Sequence, residues 1–363
     1  MPASRGSGQG AGCSGHAPPG SRALRRVSAL AAGRERVEPV QWAAMRVSAA
    51  RLVALTCSVF LAAAACGGSP DEAAPLTPLP APDVVLTPEE EQVWAPLPPD
   101  RSAIPVLLYH GIGPESDFAN AEDASYGIDQ DDFAKQMTMI AHAGYETVDL
   151  ETFVRFVQGE SVDLPPRPLL LTFDDARADS WTGADAVLEE LGFNAVMFVD
   201  VGRVDRGDPE YLTWDELETV QDSGRWDLQL HSGEGHQQIQ YGPGPDDFGP
   251  YYAYEEEGED FDDWEERVQS DIEWGEETLA DHVPSYEPLA FALPYGSYGQ
   301  DGTNDPRIPD ELLGWLTEQF DVVFTQDVNA RAQSGSDQPL GRIQVTRATT
   351  GGEVHASLLS GEQ

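Results

Sequence analysis

The stretch Leu169-Leu170-Leu171-Thr172-Phe173-Asp174-Asp175 decides how the rest of the chain is interpreted. Its leading residues are apolar or β-branched, which predicts a buried strand. Two adjacent carboxylates close it, and neighbouring side chains on an extended segment point in different directions. One carboxylate can therefore bind a metal while the other faces a substrate. By itself, the pair would favour an Asp-containing turn before the next helix, and the strand context and the later His pair favour the metal site.

Strand and helix patterns alternate on both sides of this stretch. Apolar runs predict strands at 104–110, 147–150, 169–173, 195–199, 226–230, 289–293, 322–325 and 342–345. Helical spacing predicts helices at about 133–144, 150–157, 184–191, 214–220 and 261–279. This alternation predicts one α/β domain, residues 104–363, built on a parallel sheet or barrel.

The N-terminal part of the chain has a different composition. Residues 1–44 hold six Arg among Gly, Ser and Ala, which predicts a disordered or untranslated segment. In residues 45–66, Arg46 and Arg51 precede an apolar run that is too short to span a membrane and ends at Cys66. This pattern predicts a lipoprotein signal peptide, with Cys66 lipidated and the protein anchored on the outer side of the cell membrane. A plain secretory signal is the alternative.

Residues 67–103 are rich in Pro, Ala and acidic residues, which predicts an extended linker between the anchor and the domain. Residues 242–262 are rich in Gly, Pro, Asp, Glu and Tyr. The simpler interpretation of this second segment is a solvated acidic insertion. The alternative is a substrate-facing loop with Tyr251, Tyr252 and Tyr254 as stacking platforms.

Cysteine content and charge limit the possible chemistry. Cys13 and Cys57 precede Cys66, so the exported chain would have no further thiol, and His and carboxylate side chains would have to hold any metal. The chain has 21 basic and 64 acidic residues, and removal of residues 1–66 leaves 13 and 62. Such a charge excludes electrostatic binding of nucleic acid or anionic lipid. It is typical of a protein in high salt, and a cationic polymer partner is the alternative explanation.

A second predicted strand end supplies two imidazoles. His231 and His236 are five residues apart in the segment His231-Ser232-Gly233-Glu234-Gly235-His236, after the predicted strand 226–230. On a helix they would lie about 140° apart, but a Gly-containing loop can bring both to one ion. Two His and one carboxylate are typical of hydrolytic metal sites. Glu234 is an alternative ligand, although a solvated loop carboxylate is the simpler interpretation.

Together these segments resemble the polysaccharide deacetylase family, carbohydrate esterase family 4. The matching segments are Thr172-Phe173-Asp174-Asp175, Trp226 to Ser232 with the second His236, Phe291 to Gly296, Val106 to His110, Phe133 to Leu150, and Arg342 to Val345. The His spacing of five, with the early Tyr109-His110, resembles the branch that de-N-acetylates poly-β-1,6-N-acetylglucosamine. The resemblance implies an irregular (β/α)7 barrel.

The resemblance also implies a metal centre and a general base. Asp175, His231 and His236 would hold a divalent cation, zinc by preference, with nickel or cobalt as alternatives. Asp174 would take a proton from the attacking water. The backbone N–H of Tyr295 would help to hold the oxyanion.

For the remaining roles, the resemblance leaves more than one candidate. His110 would be the general acid, with His355 as the alternative. Pro294 and Tyr109 would contact the substrate.

Two residues depart from the family pattern. Ala292 stands where an Arg usually steadies the base, and Arg342 or Arg177 are candidates to replace that Arg. Ala176 stands where the first motif usually continues with Gly.

The implied function is metal-dependent hydrolysis of N-acetyl groups on an N-acetylglucosamine polymer, by a monomer without a nucleic-acid partner. Peptidoglycan, chitin and acetylated xylan are alternative substrates. A non-catalytic carbohydrate-binding lipoprotein on the same fold is the alternative class of protein.

Overall fold

The computed structural model describes residues 76–326 and 331–360. The strands are β1 (Ala103–Tyr109), β2 (Glu146–Thr147), β3 (Pro168–Phe173), β4 (Ala195–Asp200), β5 (Trp226–Ser232), β6 (Gln238–Gln240), β7 (Phe248–Pro250), β8 (Ala290–Ala292), β9 (Val322–Phe324), β10 (Arg331–Gln333) and β11 (Ile343–Gln344). The helices are α1 (Pro88–Val93), α2 (Ala121–Tyr126), α3 (Gln130–His142), α4 (Leu150–Val157), α5 (Ala178–Leu191), α6 (Val201–Asp205), α7 (Trp214–Asp222), α8 (Phe261–His282), α9 (Ile308–Gln319) and α10 (Gly351–Leu359).

A curled, mostly parallel sheet forms the centre of the domain. Its strand order is β10-β1-β3-β4-β5-β8-β9, and only the β1–β10 pair on this path is antiparallel. Beyond β9, Leu340 bridges Phe324, and β11 then pairs with β1. The chain therefore returns from the last strand to the first, which confirms the predicted α/β barrel.

Alternation along the strands separates two apolar cores. Leu107 and Leu171 belong to the core between the sheet and the outer helices, whereas Val106 and Leu170 belong to a second core that includes α4. Adjacent residues on a strand face opposite sides of the sheet, so both sides of β1 and β3 are covered. Burial on both faces explains why the strand before Asp174 is continuously apolar.

Residues 76–102 differ from the extended linker predicted for 67–103. Trp94 is 2% exposed in the outer core, and the N–H groups of Leu79 and Leu97 donate to the carbonyls of Thr182 and Ala143 at 2.7 and 3.0 Å. The linker prediction was wrong because it rested on the Pro-rich composition. A few apolar side chains, such as Trp94, are enough to pack this segment against the domain. The packed domain therefore begins before residue 104.

The predicted segment 1–44 and the predicted signal peptide with Cys66 lie outside the described residues. Within 76–326 and 331–360, no helix has the length and apolar composition needed to cross a membrane.

Candidate active site

The predicted site residues meet at the carboxyl ends of the parallel strands, where reactive groups gather in α/β barrels. Asp174 and Asp175 follow β3, and His110 follows β1. His231 is the penultimate residue of β5, and the turn that contains Tyr295 follows β8. Residues from four separated segments thus share one edge of the barrel.

Asp175, His231 and His236 form a cluster with the geometry of a metal site. The Oδ1 atom of Asp175 lies 3.5 Å from Nε2 of His231 and 3.4 Å from Nε2 of His236. Two ligands at the usual distance from a tetrahedral zinc ion are about 3.3 Å apart. Among the described residues, this buried Oδ1 atom has no hydrogen-bond partner. The donor set and its unsatisfied oxygen therefore fit a divalent cation.

The surroundings of His231 prepare it to bind a cation. Its Nδ1 atom lies 2.7 Å from the carbonyl oxygen of Ala292, so Nδ1–H donates there and the Nε2 lone pair faces Asp175. Burial lowers the pKa of His231 to about 4, despite the opposing charge of Asp174. The imidazole is therefore neutral near pH 7, which is the form that coordinates metals.

Arg342 holds Asp174 in a buried, two-point ion pair. The Arg342 Nη1 and Nη2 atoms donate to Oδ1 and Oδ2 of Asp174 at 2.6 and 2.7 Å. Burial alone would raise the pKa of Asp174, but Arg342 and His231 outweigh it and hold that pKa at about 2. Of the two predicted candidates, Arg342 thus supplies the cation that Ala292 lacks. Arg177 instead pairs with Asp179 and Glu210.

Backbone strain is concentrated in the two turns at this site. In the described part of the chain, the non-glycine residues with positive φ are Asp175 at 79°, Ala176 at 58° and Tyr295 at 58°. Such conformations are costly for residues with a Cβ, and they cluster where function requires them. Glycine adopts the left-handed conformation of Ala176 without strain, which is consistent with the Gly that the family pattern implies at this position.

His110 lies beside the cluster, whereas His355 packs elsewhere. Burial lowers the pKa of His110, and the charges of Asp175 and Asp174 raise it. Its buried Nδ1 atom has no hydrogen-bond partner among the described residues. His355 is on α10, and its ring contacts Trp94 with the centroids 4.5 Å apart. This geometry favours His110 over His355 as the proton donor.

The three remaining predicted residues differ in exposure. Tyr109 is fully buried and its hydroxyl donates to Gln136 at 2.9 Å, which contradicts the predicted substrate contact, because the apolar β1 strand turns this side chain into the core. Pro294 is also buried, so it shapes the turn instead of presenting a surface. Tyr295 is 40% exposed, and its ring centroid lies 4.7 Å from that of His236.

The structure also changes the interpretation of the acidic insertion and of Glu234. Tyr252 is 1% exposed, so it is not a stacking platform. Tyr251 packs under Arg267, and Tyr254 stacks on Tyr241. The Glu234 carboxylate pairs with Arg206 and is not part of the metal-site cluster.

Three residues near the site were not predicted from the sequence. Asp200 ends β4 as a buried carboxylate, and burial raises its pKa to about 7, with a further contribution from Asp175 and opposition from His236. Asp271 on α8 accepts hydrogen bonds from the loop between the two ligand histidines. Tyr126 is 41% exposed beside His110. Only Asp200 carried a recognisable signal, a carboxylate directly after an apolar strand.

Comparison with known proteins adds a family and a set of similar folds. Residues 161–305 match the sequence model of the family described as Polysaccharide deacetylase. A search of curated proteins gives no significant match.

Among solved structures, the chain is similar to a de-N-acetylase from Aggregatibacter actinomycetemcomitans, with 18% identity and a TM-score of 0.59 over 70% of this chain and 99% of that one. It is similar to IcaB from Ammonifex degensii, with 24% identity and a TM-score of 0.56 over 71% and 98%. It is also similar to the BpsB deacetylase domain from Bordetella bronchiseptica, with 19% identity and a TM-score of 0.55 over 69% and 98%. At these identities, the structural similarity supports the barrel fold.

Proposed function

We propose that this protein, whose residues 161–305 match the polysaccharide deacetylase family model, hydrolyses N-acetyl groups on an N-acetylglucosamine polymer. The observation that carries the proposal is the Asp175–His231–His236 cluster next to an Asp174 carboxylate held by Arg342. One carboxylate thus faces the two imidazoles, and its neighbour is fixed and ionised. This separation suits the two roles that amide hydrolysis requires.

The cofactor of the proposed reaction is a divalent cation bound by Asp175, His231 and His236. Imidazole and carboxylate ligands suit zinc, and nickel and cobalt are alternatives. Once bound, such a cation would polarise the acetyl carbonyl and acidify a water molecule.

The chain's own groups then move the protons. Asp174 accepts a proton from the water molecule as the water oxygen forms a bond to the acetyl carbon. The N–H of Tyr295, in the strained turn after β8, donates to the carbonyl oxygen as it becomes negative. His110 gives a proton to the nitrogen as the carbon–nitrogen bond breaks. The products are acetate and a free amine on the sugar.

Exposed aromatic rings support a sugar polymer as the substrate. Tyr126 and Tyr295 are each about two-fifths exposed, and their rings lie next to His110 and His236 respectively. Each ring therefore lies beside a histidine of the site, where its face can stack on a pyranose ring.

Poly-β-1,6-N-acetylglucosamine is our preferred polymer, and peptidoglycan, chitin and acetylated xylan are the alternatives. The spacing of His231 and His236 and the early His110 support this choice. The acidic chain, with a formal net charge of −43, would attract the cationic product of deacetylation. Export and anchoring through Cys66 belong to the same proposal, because such polymers lie outside the cell membrane. We expect the anchored enzyme to act as a monomer.

Acetate release from defined N-acetylglucosamine oligomers tests the proposed activity. We expect β-1,6-linked oligomers to be deacetylated, a chelator to abolish release, and zinc, cobalt or nickel to restore it. If oligomers of every linkage and acetylated xylan yield no acetate after metal is restored, the enzymatic proposal fails. Oligomer binding without acetate release would instead support the non-catalytic alternative.

A further inference from the structure

The loop between the two ligand histidines rests on one buried carboxylate. Asp271, on α8, is 7% exposed. Its Oδ2 atom accepts from the N–H of Gly233 at 3.1 Å, and its Oδ1 atom accepts from the N–H of Glu234 at 2.6 Å. Two consecutive backbone donors between His231 and His236 therefore converge on a single side chain.

The acidic insertion supplies the third donor to this carboxylate. The Tyr252 hydroxyl donates to Oδ2 of Asp271 at 2.5 Å. Tyr252 is itself fixed, because Nε1–H of Trp264 donates to its carbonyl at 3.0 Å. Arg267 also donates to the carbonyls of Tyr251 and Tyr254 at 2.9 and 2.8 Å. The insertion is thus tied to α8 and, through Asp271, to the loop of the metal centre.

The two glycines of the loop allow this close approach. A Cβ atom on Gly233 would lie 2.3 Å from the Asp271 carbonyl oxygen and 2.8 Å from Oδ1. A Cβ atom on Gly235 would lie 2.5 Å from the Tyr252 ring and hydroxyl. Any larger residue would push the loop away from the carboxylate. The loop sequence and its support therefore match each other sterically and in hydrogen bonding.

We propose that Asp271, with Tyr252 behind it, is a positioning residue that fixes the curve of the loop, so that His231 and His236 both face Asp175. A spacing of five residues does not bring two side chains together in a regular helix or strand, so the curve must come from elsewhere. The carboxylate imposes it by binding the N–H groups of Gly233 and Glu234 in the middle of the loop. The proposal needs only the metal site, and it rests on the proposed function for its effect on catalysis.

The test compares the metal affinity of Asp271→Asn with that of a matched control. In Asn, an NH2 group replaces one of the two carboxylate oxygens. This group cannot accept a hydrogen bond from a backbone N–H, so the loop must shift. We expect zinc binding by the metal-free protein, measured against a chromophoric chelator, to weaken about 10- to 100-fold. Asp185→Asn is the control, because Asp185 is a buried helix carboxylate, 8% exposed, that binds Arg225 and Trp226 away from the site. Its zinc affinity should match that of the wild type.

A milder variant keeps the test informative if Asp271→Asn does not fold. Tyr252→Phe removes only the hydroxyl, and we expect it to weaken zinc binding several-fold and to alter the visible spectrum of bound cobalt. Wild-type affinity and an unchanged cobalt spectrum in the folded variants would overturn the proposal. Metal binding without acetate release by the wild type would overturn the proposed function and leave this inference standing.

Discussion

At the scale of single residues, Asp174 and Asp175 have different environments although they are adjacent. Both oxygens of Asp174 bind the Arg342 guanidinium, whereas Oδ1 of Asp175 is directed at two imidazole nitrogens. The positive φ of Asp175 turns its side chain away from the direction set by the strand. The backbone therefore separates a base from a ligand within two residues.

Replacing Asp174 by Asn tests this division of roles. We expect acetate release to fall by about 10²- to 10⁴-fold, because the amide cannot accept the proton. Zinc affinity should remain close to that of the wild type, since Asp175 and both histidines are kept, and a chelator competition titration measures it. Loss of zinc from this variant, with retention in Asp175→Asn, would show that the two roles are exchanged.

Replacing Ala176 by Gly tests whether the positive φ at this position strains the backbone. Its φ of 58° should cost about 1–2 kcal/mol for a residue with a Cβ. Glycine would relieve that strain but would lose about 0.8 kcal/mol of methyl burial and roughly 0.5–1 kcal/mol of chain entropy. These contributions nearly cancel, so Ala176→Gly should change the free energy of unfolding by less than about 1 kcal/mol.

Ala184 is the matched control for Ala176→Gly, because it is equally buried but lies inside α5. Ala184→Gly should cost about 1.5 kcal/mol or more, since no strain is relieved there. Urea unfolding of the metal-free proteins measures both values. An equal loss of stability in the two variants would contradict the strain argument.

At the scale of elements, sequence patterns predicted those with strong apolar periodicity. The predicted helix 150–157 and the strands before Asp174 and His231 agree closely with α4, β3 and β5. Residues 121–126 and 308–319, observed as α2 and α9, were not predicted because their apolar residues are too few or are interrupted by Gly and Pro. The contact between Arg342 and Asp174 joins residues 168 positions apart, so only the closed barrel could establish it.

Asp200 gives the end of β4 a pH-dependent effect on stability. Its pKa of about 7 in the folded protein exceeds the ordinary value of 3.8. Between these values, the folded state holds a proton that the unfolded state has lost, so the contribution of Asp200 to stability falls as pH rises. Relative to Asp200→Asn, the metal-free wild type should therefore lose stability from pH 5 to pH 8.

Urea unfolding of the two proteins in a chelator measures this difference. The slope should not exceed about 1.4 kcal/mol per pH unit. Asn can also accept a hydrogen bond from the N–H of Arg203 in the first turn of α6, so the helix cap is kept. Comparison of the pair cancels the titration of the other acidic residues. A stability difference that does not vary with pH would contradict the raised pKa.

At the scale of the whole molecule, the barrel and the surface charge have opposite effects on compactness. The continuous apolar strands contribute to two buried cores. The chain has 64 acidic and only 21 basic residues, so its excess carboxylates repel one another when the chain is compact. Most of these carboxylates lie on the surface, where dissolved salt screens them. The fold is therefore expected to reach its full stability only in concentrated salt.

A thermal unfolding series in sodium chloride tests this expectation. Between about 0.05 and 1 M salt the Debye length shrinks from more than 10 Å to about 3 Å, which removes most of the repulsion. We expect the unfolding temperature to rise by at least about 5 °C, the equivalent of roughly 2 kcal/mol in a domain of this size.

Sodium thiocyanate separates screening from general salting-out, because it screens charge but weakens apolar burial. Screening requires both salts to stabilise the protein similarly below about 0.3 M, where the Debye length is already short. Stabilisation by chloride alone would instead assign the effect to the apolar cores.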